Sequence, residues 1–262
     1  MTAPTSAPAT VDEVADALVD VIGSPRAVAL YSASWPLARA TRTAPHEAAD
    51  RLCARLVEAL DGTTVLMPTF TGGFGSDGRC DLDTEPATTG VIAERFRTWP
   101  GSRRTRSAFF SFAVRGPDAD RLVDLEPEHA WGPASLYEWL HEVDATIATV
   151  GLFPTHCSFG HLAEWRYRDR IPYRFEKTFT GTIHHEGVDR PLAETLLVRE
   201  RDPAPKNDFT WLAPYYVEAG QRRAEPGGVT VSAIGAQAKL ATISSFLDHD
   251  PLSLVSNREH WT

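Results

Sequence analysis

Residues 27–31 (Ala-Val-Ala-Leu-Tyr) and 63–67 (Thr-Thr-Val-Leu-Met) decide the fold. Each segment is short and mostly apolar, which is typical of strands that are buried on both faces of a sheet. Between them, residues 46–60 carry apolar side chains at helical spacing and are followed by Asp61-Gly62, which ends a helix. A strand, a helix and a second strand in this order predict a right-handed crossover between parallel strands. We therefore predict an α/β fold.

The rest of the chain extends this alternation. Residues 171–199 alternate between polar and apolar side chains around the turn His185-Glu186-Gly187, which predicts antiparallel hairpins. Residues 69–89 are rich in glycine and polar side chains and predict a long loop. Further strands are predicted over residues 109–114 and 145–152, and helices over residues 11–21, 91–99, 118–125, 135–142, 158–168, 208–223 and 232–249.

The composition is that of an ordinary globular protein, with 42% hydrophobic and 23% charged residues among 262. This length suits one α/β core, which we place at residues 10–255 between a flexible tail at residues 1–9 and a C-terminal tail at residues 256–262. No apolar run reaches the length of about 18 residues that a membrane helix needs, and the first ten residues lack the features of a signal peptide. We expect a cytoplasmic protein without a membrane partner.

Charge and cysteine content exclude further classes. A net charge of −9 is unfavourable for a nucleic-acid partner, because phosphate binding needs a basic surface. It would suit a cationic small substrate, although solubility alone also explains it. Cys53, Cys80 and Cys157 have no metal-ligand spacing, and their odd number argues against a disulfide framework. We expect reduced thiols and no metal.

The segment His161-Leu-Ala-Glu164 carries the strongest candidate for catalysis. Its His and Glu are three residues apart on a predicted helix, so they share one face. The helix follows the buried strand that ends at Val150-Gly151-Leu152, where α/β sheets place ligands. An imidazole there can act as a general base while the carboxylate fixes its tautomer. The alternative interpretation is a surface histidine with an ion partner.

Three other groups are weaker candidates. His184-His185 could ligate a metal, but it lacks a third ligand at a recognisable spacing, so a solvated turn is favoured. Residues 72–75 (Gly-Gly-Phe-Gly) lack the pattern of a phosphate loop or a dinucleotide fingerprint and are interpreted as a lid or a plain loop. Cys157 could be a nucleophile, but a buried bystander is the more common case.

Several segments, taken together and in order, resemble the aminoglycoside 3-N-acetyltransferase family. Residues 61–71 are similar to the strand and turn of that family's Gly-Thr-Leu-x-Met-Pro-Thr motif. His161-Leu-Ala-Glu164 follows Gly151 by ten residues, as the family's His-x-Ala-Glu does. The other matching segments are the helix at residues 89–97, the block from Arg104 through Ser111 to Gly116, and the turn at residues 132–135.

The resemblance implies a layered α/β/α sandwich with an antiparallel hairpin region towards the C-terminus, as a monomer or homodimer. It implies transfer of an acetyl or related acyl group from acetyl-CoA to an amine of an aminoglycoside-like or amino-sugar metabolite, in resistance or biosynthesis. His161 would be the general base, Asp208 its orienting carboxylate and Glu164 a second carboxylate. The residues implied at the cofactor site are Tyr31, Ser32, Ser34, Arg104, Ser107 and Ser111.

The chain departs from the family at several of these positions. Tyr31 stands where the family has a histidine, Ser107-Ala108 replaces His-Pro, and Cys157 replaces an asparagine. A remodelled donor site leaves a second hypothesis open, in which a hydrolase, cyclase or transferase on the same fold works without CoA. A third hypothesis is a binding protein that sequesters an amine, although such a protein has no need for a base.

Overall fold

A computed structural model describes residues 8–261. Its strands form a seven-stranded sheet and a three-stranded sheet. Within the described residues the strands are β1 (Ala27–Ser32), β2 (Thr64–Pro68), β3 (Arg79–Asp81), β4 (Arg103–Arg104), β5 (Phe112–Arg115), β6 (Thr146–Val150), β7 (Arg174–His185), β8 (Val188–Arg199), β9 (Arg222–Ala224) and β10 (Val231–Gly235).

The helices surround the larger sheet. In the same part of the chain they are α1 (Val11–Ile22), α2 (Ser34–Thr41), α3 (Pro45–Ala59), α4 (Phe74–Asp77), α5 (Val91–Arg97), α6 (Ala119–Val123), α7 (Leu136–Glu142), α8 (His161–Arg166), α9 (Ala213–Glu218) and α10 (Ala236–His249). Short 3₁₀ turns cover Ser158–Gly160, Thr210–Leu212, Pro226–Gly228 and Arg258–His260.

The larger sheet has the strand order β4-β5-β2-β1-β6-β10-β9. Strand β1 pairs in parallel with both β2 and β6, which confirms the parallel pair predicted from residues 27–31 and 63–67. The outer strands β5 and β10 run antiparallel to β2 and β6. The three central strands therefore direct their carboxyl ends to one edge, where open α/β sheets bind ligands.

Helices cover both faces of this sheet. Along β1, Ala29 and Tyr31 pack into a core shared with α7, α8 and α10, whereas Val28 and Leu30 pack into a core shared with α1, α3 and α5. This alternation follows from the two-residue period of a strand. The predicted α/β/α sandwich is confirmed, and β7 and β8 form the predicted long hairpin, with β3 beside β7.

Several element predictions were wrong in detail. Residues 232–249 were predicted as one helix, but β10 pairs with β6 and only α10 is helical. The apolar run Val231-Ser-Ala-Ile-Gly235 fits a buried strand as well as a helix, so periodicity could not separate the two. Of the helix predicted at residues 208–223, only α9 is α-helical.

The long loop predicted at residues 69–89 also contains structure. It holds α4 and β3, and Cys80 of β3 pairs with Ile183 of β7. This pairing joins residues about a hundred positions apart, which a local pattern cannot predict. Helix α2 was missed because it is short, contains Pro36 and has no side-chain cap at its start.

The predicted domain limits stay predictions. Residues 1–7 lie outside the described residues, and Ala9 and Asn257 are both buried. The Asn257 side chain accepts a hydrogen bond from Lys206 N and donates one to Ala204 O. Among the helices of residues 8–261, none is both long enough and apolar enough to cross a membrane.

Candidate active site

A cavity of about 990 Å³ opens at the carboxyl ends of the central strands. Ser32 at the end of β1, Pro68 at the end of β2 and Leu152 just beyond β6 all line it. In the sheet, β2 lies on one side of β1 and β6 on the other, so the order in which the chain adds strands changes direction at β1. This is the position at which doubly wound sheets hold their ligands.

His161 lies on the wall of this cavity, at the first position of α8. Its Nδ1 is 2.5 Å from Oε2 of Glu164, and Nη2 of Arg174 lies 3.4 Å from the same nitrogen. A carboxylate can only accept a hydrogen bond, so Nδ1 carries a proton and donates a hydrogen bond to Glu164. The lone pair of the neutral imidazole is then on Nε2, the nitrogen left for the cavity.

Glu164 is fully buried beneath His161. Its second oxygen, Oε1, lies 3.0 Å from Nε of Arg174 on β7 and accepts a hydrogen bond of 3.0 Å from Nδ2 of Asn207. Burial raises the pKa of Glu164, but the charges of Arg174 and His161 outweigh it and lower the pKa to about 2. The carboxylate therefore stays ionised at any physiological pH.

Arg174 and Asn207 complete the arrangement around Glu164. Arg174 donates to Oδ1 of Asn207 at 3.1 Å and to the carbonyl of Leu197 on β8 at 3.2 Å. We call His161, Glu164, Arg174 and Asn207 the base cluster. Each side chain in it contacts at least two others, so the imidazole ring is held in one orientation.

Sequence reasoning missed Arg174 and assigned no role to Asn207. Arg174 lies on a hairpin strand 13 residues after His161, and no motif joins the two. Only the packing of β7 against α8 brings the guanidinium to Glu164.

The orienting role predicted for Asp208 is corrected by the geometry. Asp208 borders the cavity, but its Oδ1 accepts hydrogen bonds from Thr210 N at 2.8 Å and Thr210 Oγ1 at 2.5 Å. These bonds lower its pKa. The residue lies in an irregular segment before the 3₁₀ turn rather than at the start of a helix. The carboxylate that contacts His161 is that of Glu164.

Two of the residues predicted at the cofactor site, Tyr31 and Ser32, line the cavity. The Tyr31 hydroxyl lies 3.1 Å from Oγ of Ser158, which lies 2.7 Å from the hydroxyl of Tyr137. Burial raises the pKa of Tyr31 well above its ordinary value, so its hydroxyl stays protonated. A neutral hydrogen-bonding group thus stands where the family has a histidine.

Arg104 and Ser111, also predicted there, are buried behind the cavity. Nε of Arg104 donates to Oγ of Ser111 at 3.0 Å and to Oγ1 of Thr69 at 3.1 Å. Its other nitrogens donate to the carbonyls of Thr69, Leu82 and Glu85. We call Arg104, Ser111 and Thr69 the loop clamp, because the bonded carbonyls belong to the loop after β2.

Ser107 and Ser34 have structural roles of their own. Ser107 donates to the buried carboxyl of Glu194 at 2.6 Å and accepts from Phe110 N at 2.8 Å. Ser34 begins α2. The described residues that line the cavity do not include Ser34, Ser107, Arg104 or Ser111. Direct contact with a ligand in this cavity is therefore not assigned to them.

His184 lies at the other end of the hairpin, among acidic residues. Its Nδ1 is 2.6 Å from Asp189, and donor atoms of Asp81, Asp83 and His184 lie within 4.8 Å of one another. Backbone N–H groups of Glu186 and Gly187 already bond the Asp83 carboxylate. The solvated turn predicted for His184-His185 is wrong for His185, which is buried with its Nε2 2.7 Å from the carbonyl oxygen of Arg104.

Known proteins resemble this chain over nearly its whole length. The sequence model of the aminoglycoside 3-N-acetyltransferase family matches residues 5–247. The chain belongs to this family. Membership confirms the resemblance and the predicted class of enzyme, an N-acetyltransferase. A sequence search of curated proteins found no match.

Solved structures share the fold. The aminoglycoside acetyltransferase AAC(3)-IVa, crystallised with a gentamicin as a mutant with alanine in place of a histidine, has a TM-score of 0.72 and 22% identity, over 98% of this chain and 95% of that one. AAC-IIIb with CoASH has a TM-score of 0.74 and 18% identity, over 92% and 97%. YokD from Bacillus subtilis has a TM-score of 0.70 and 16% identity, over 96% and 97%.

Proposed function

We propose that the protein transfers the acetyl group of acetyl-CoA to a primary amine, with Nε2 of His161 as the general base. The observation that carries this proposal is the contact of His161 Nδ1 with the buried, ionised Glu164 at the wall of the cavity. A family neighbour that binds CoASH supports the choice of donor. The cavity is large enough to hold both a thioester arm and an acceptor.

The reaction begins when the acceptor, as a free amine, lies within hydrogen-bond reach of Nε2. The nitrogen lone pair attacks the thioester carbonyl, and Nε2 takes a proton from that nitrogen. The tetrahedral intermediate collapses, the carbon–sulfur bond breaks, and the thiolate of CoA takes the proton from the imidazolium. The products are an N-acetyl amine and CoASH.

Glu164 assists this cycle without accepting the proton. Its pKa of about 2 lies far below that of an imidazolium, so the carboxylate stays charged while His161 is protonated. A fixed negative charge 2.5 Å from Nδ1 stabilises the imidazolium. Arg174 and Asn207 prevent the carboxylate from turning away.

The contacts of Ser107 and Ala108 weaken the argument for an enzyme that works without CoA. That hypothesis took Ser107-Ala108 as a sign of a remodelled donor site, but Ser107 and the backbone N–H of Ala108 both bond Glu194. The change from His-Pro is therefore accommodated by a buried carboxyl behind the cavity. Tyr31 and Cys157 remain as substitutions that line the cavity.

The decisive experiment replaces the base. His161→Ala should lower kcat for acetyl-CoA-dependent acylation by about 10² to 10⁴-fold, because that is the usual contribution of a positioned general base. Circular dichroism and the melting temperature should stay close to those of the parent protein. His249→Ala, which removes an exposed imidazole at the end of α10, is the matched control. Near-normal turnover by a folded His161→Ala variant would show that the base is elsewhere.

A further inference from the structure

Aromatic rings form a continuous wall that leads to the base. Phe70 packs edge-to-face on Phe110 at 4.9 Å between centroids, and Phe110 packs on Trp131 at 4.6 Å. Trp131 and Phe209 then flank the His161 ring at 5.7 and 5.9 Å. All five residues line the cavity. Because the acceptor nitrogen must lie within reach of His161, this wall borders the acceptor.

Carboxylates are scarce around the same space. Of the described residues that line the cavity, Asp208 is the only acidic one. Glu164 is fully buried, and its two oxygens already contact His161, Arg174 and Asn207. An acceptor with several ammonium groups would therefore find one carboxylate at most.

Cations are more numerous there. Arg174 and Arg199 both line the cavity, and Arg174 is neutralised by Glu164. Among the ion pairs of residues 8–261, none includes Arg199. The lining residues thus set the unpaired cation of Arg199 against the single carboxylate of Asp208, which is unfavourable to a polycation.

We infer that the acceptor is an amine with a single positive charge on an aromatic or aliphatic body, rather than a polycationic aminosugar. This inference rests on the proposed function, because it assumes that His161 marks the acceptor site. An aromatic ring gains edge-to-face contacts on the wall formed by Phe110 and Trp131. A single amino group reacts as the uncharged free amine, so the bound acceptor needs no permanent counterion.

The overall charge of −9 does not contradict this inference. Several acidic side chains that do not line the cavity are paired locally, as with Asp12 and Arg51 on α1 and α3. Salt screens exposed charges over about 10 Å, so a remote carboxylate does not compensate for Arg199 at the rim. Local charge decides which acceptor is admitted.

The test compares two classes of acceptor at fixed acetyl-CoA, with CoASH release as the signal. The monoamines are 2-phenylethylamine and tryptamine, and the polycation is gentamicin. We expect kcat/KM to be about tenfold or more higher for the better monoamine, since opposed like charges at a binding surface are strongly unfavourable. A preference for gentamicin would overturn the inference while leaving the proposed function intact.

A charge-reversal pair sharpens this test. Arg199→Glu should raise the ratio of gentamicin to monoamine kcat/KM by about tenfold, because it replaces a cation at the cavity with an anion. Arg121→Glu makes the same change of net charge on exposed α6 and should leave the ratio unchanged. An equal shift in both variants would mean that overall charge, not the cavity, selects the acceptor, and would overturn the inference.

Calorimetric titration with acetyl-CoA separates the remaining outcomes. If neither class is acetylated but acetyl-CoA binds, the monoamine inference is wrong and the donor assignment stands. If neither class is acetylated and acetyl-CoA does not bind, the proposed function is wrong as well.

Discussion

Two arginines, Arg174 and Arg104, both have almost entirely buried side chains, but they meet opposite kinds of partner. Arg174 lies beside a buried carboxylate and so becomes part of the base cluster. Arg104 donates to carbonyls and hydroxyls, and the loop clamp that it forms has no carboxylate in direct contact among the described residues. Burial lowers its pKa to about 10, which still leaves it charged at neutral pH.

The difference lies in what each guanidinium controls. Arg174 sets the charge and position of Glu164, and through it the tautomer of His161. Arg104 ties the loop after β2 to Ser111, the residue directly before β5. Arg174 controls the environment of the base, whereas Arg104 holds the loop after β2 in place. Substitutions in the two clusters should therefore affect different quantities.

The largest expected effect is that of Glu164→Gln. It leaves Arg174 buried without a counterion, which should lower the free energy of unfolding by about 3–5 kcal/mol. It should also lower kcat by about 10² or more, because the imidazolium loses its stabilising charge. Urea unfolding and steady-state kinetics measure the two. A variant with normal kcat would remove Glu164 from the base cluster and reopen the role of Asp208.

A pH titration of stability tests the same residue through its ionisation rather than through turnover. The pKa of Glu164 is lowered in the folded protein from 4.5 to about 2, so its contribution to stability is complete above pH 4.5. That contribution is lost as the pH falls towards 2, because the unfolded chain takes up the proton first. Between pH 5 and pH 3 the parent protein should lose more stability than Glu164→Gln. Equal losses would mean that Arg174 and His161 do not hold the carboxylate in its ionised form.

A smaller effect is expected for Arg104→Met in the loop clamp. Carbonyls of the loop lose their donor, which should lower the free energy of unfolding by about 1–3 kcal/mol for each one left buried and unpaired. The pH profile of kcat should keep its shape, because His161 and Glu164 are untouched. Urea unfolding and a kcat profile from about pH 5 to about pH 9, which spans the ordinary range of an imidazole, measure both. A shifted profile would show that the loop clamp acts on the base after all.

Sequence reasoning reached further into the fold than into the site. The strands at residues 27–31 and 63–67 were predictable because a doubly buried strand must be apolar along its whole length. His161 and Glu164 were predictable because helical spacing places them on one face. The strand at Val231–Gly235 was not, since a short apolar run before a helix fits both states.

The family resemblance also assigned cofactor-site roles to residues that do not line the cavity. Arg104, Ser107 and Ser111 match family motifs, yet their donors and acceptors are taken up by Thr69 and Glu194 behind the cavity. A motif fixes residue type and order along the chain. It does not state whether a side chain points into a cavity or into the protein.

The sequence by itself determined the α/β class of the fold, the parallel centre of the sheet and the helical pairing of His161 with Glu164, because each follows from local periodicity. Only the tertiary structure decided which groups surround that pair. Arg174 arrives from a hairpin and Asn207 from an irregular segment, and the aromatic wall is assembled from four separate parts of the chain. Such contacts depend on packing between distant segments, and no spacing in the sequence records them.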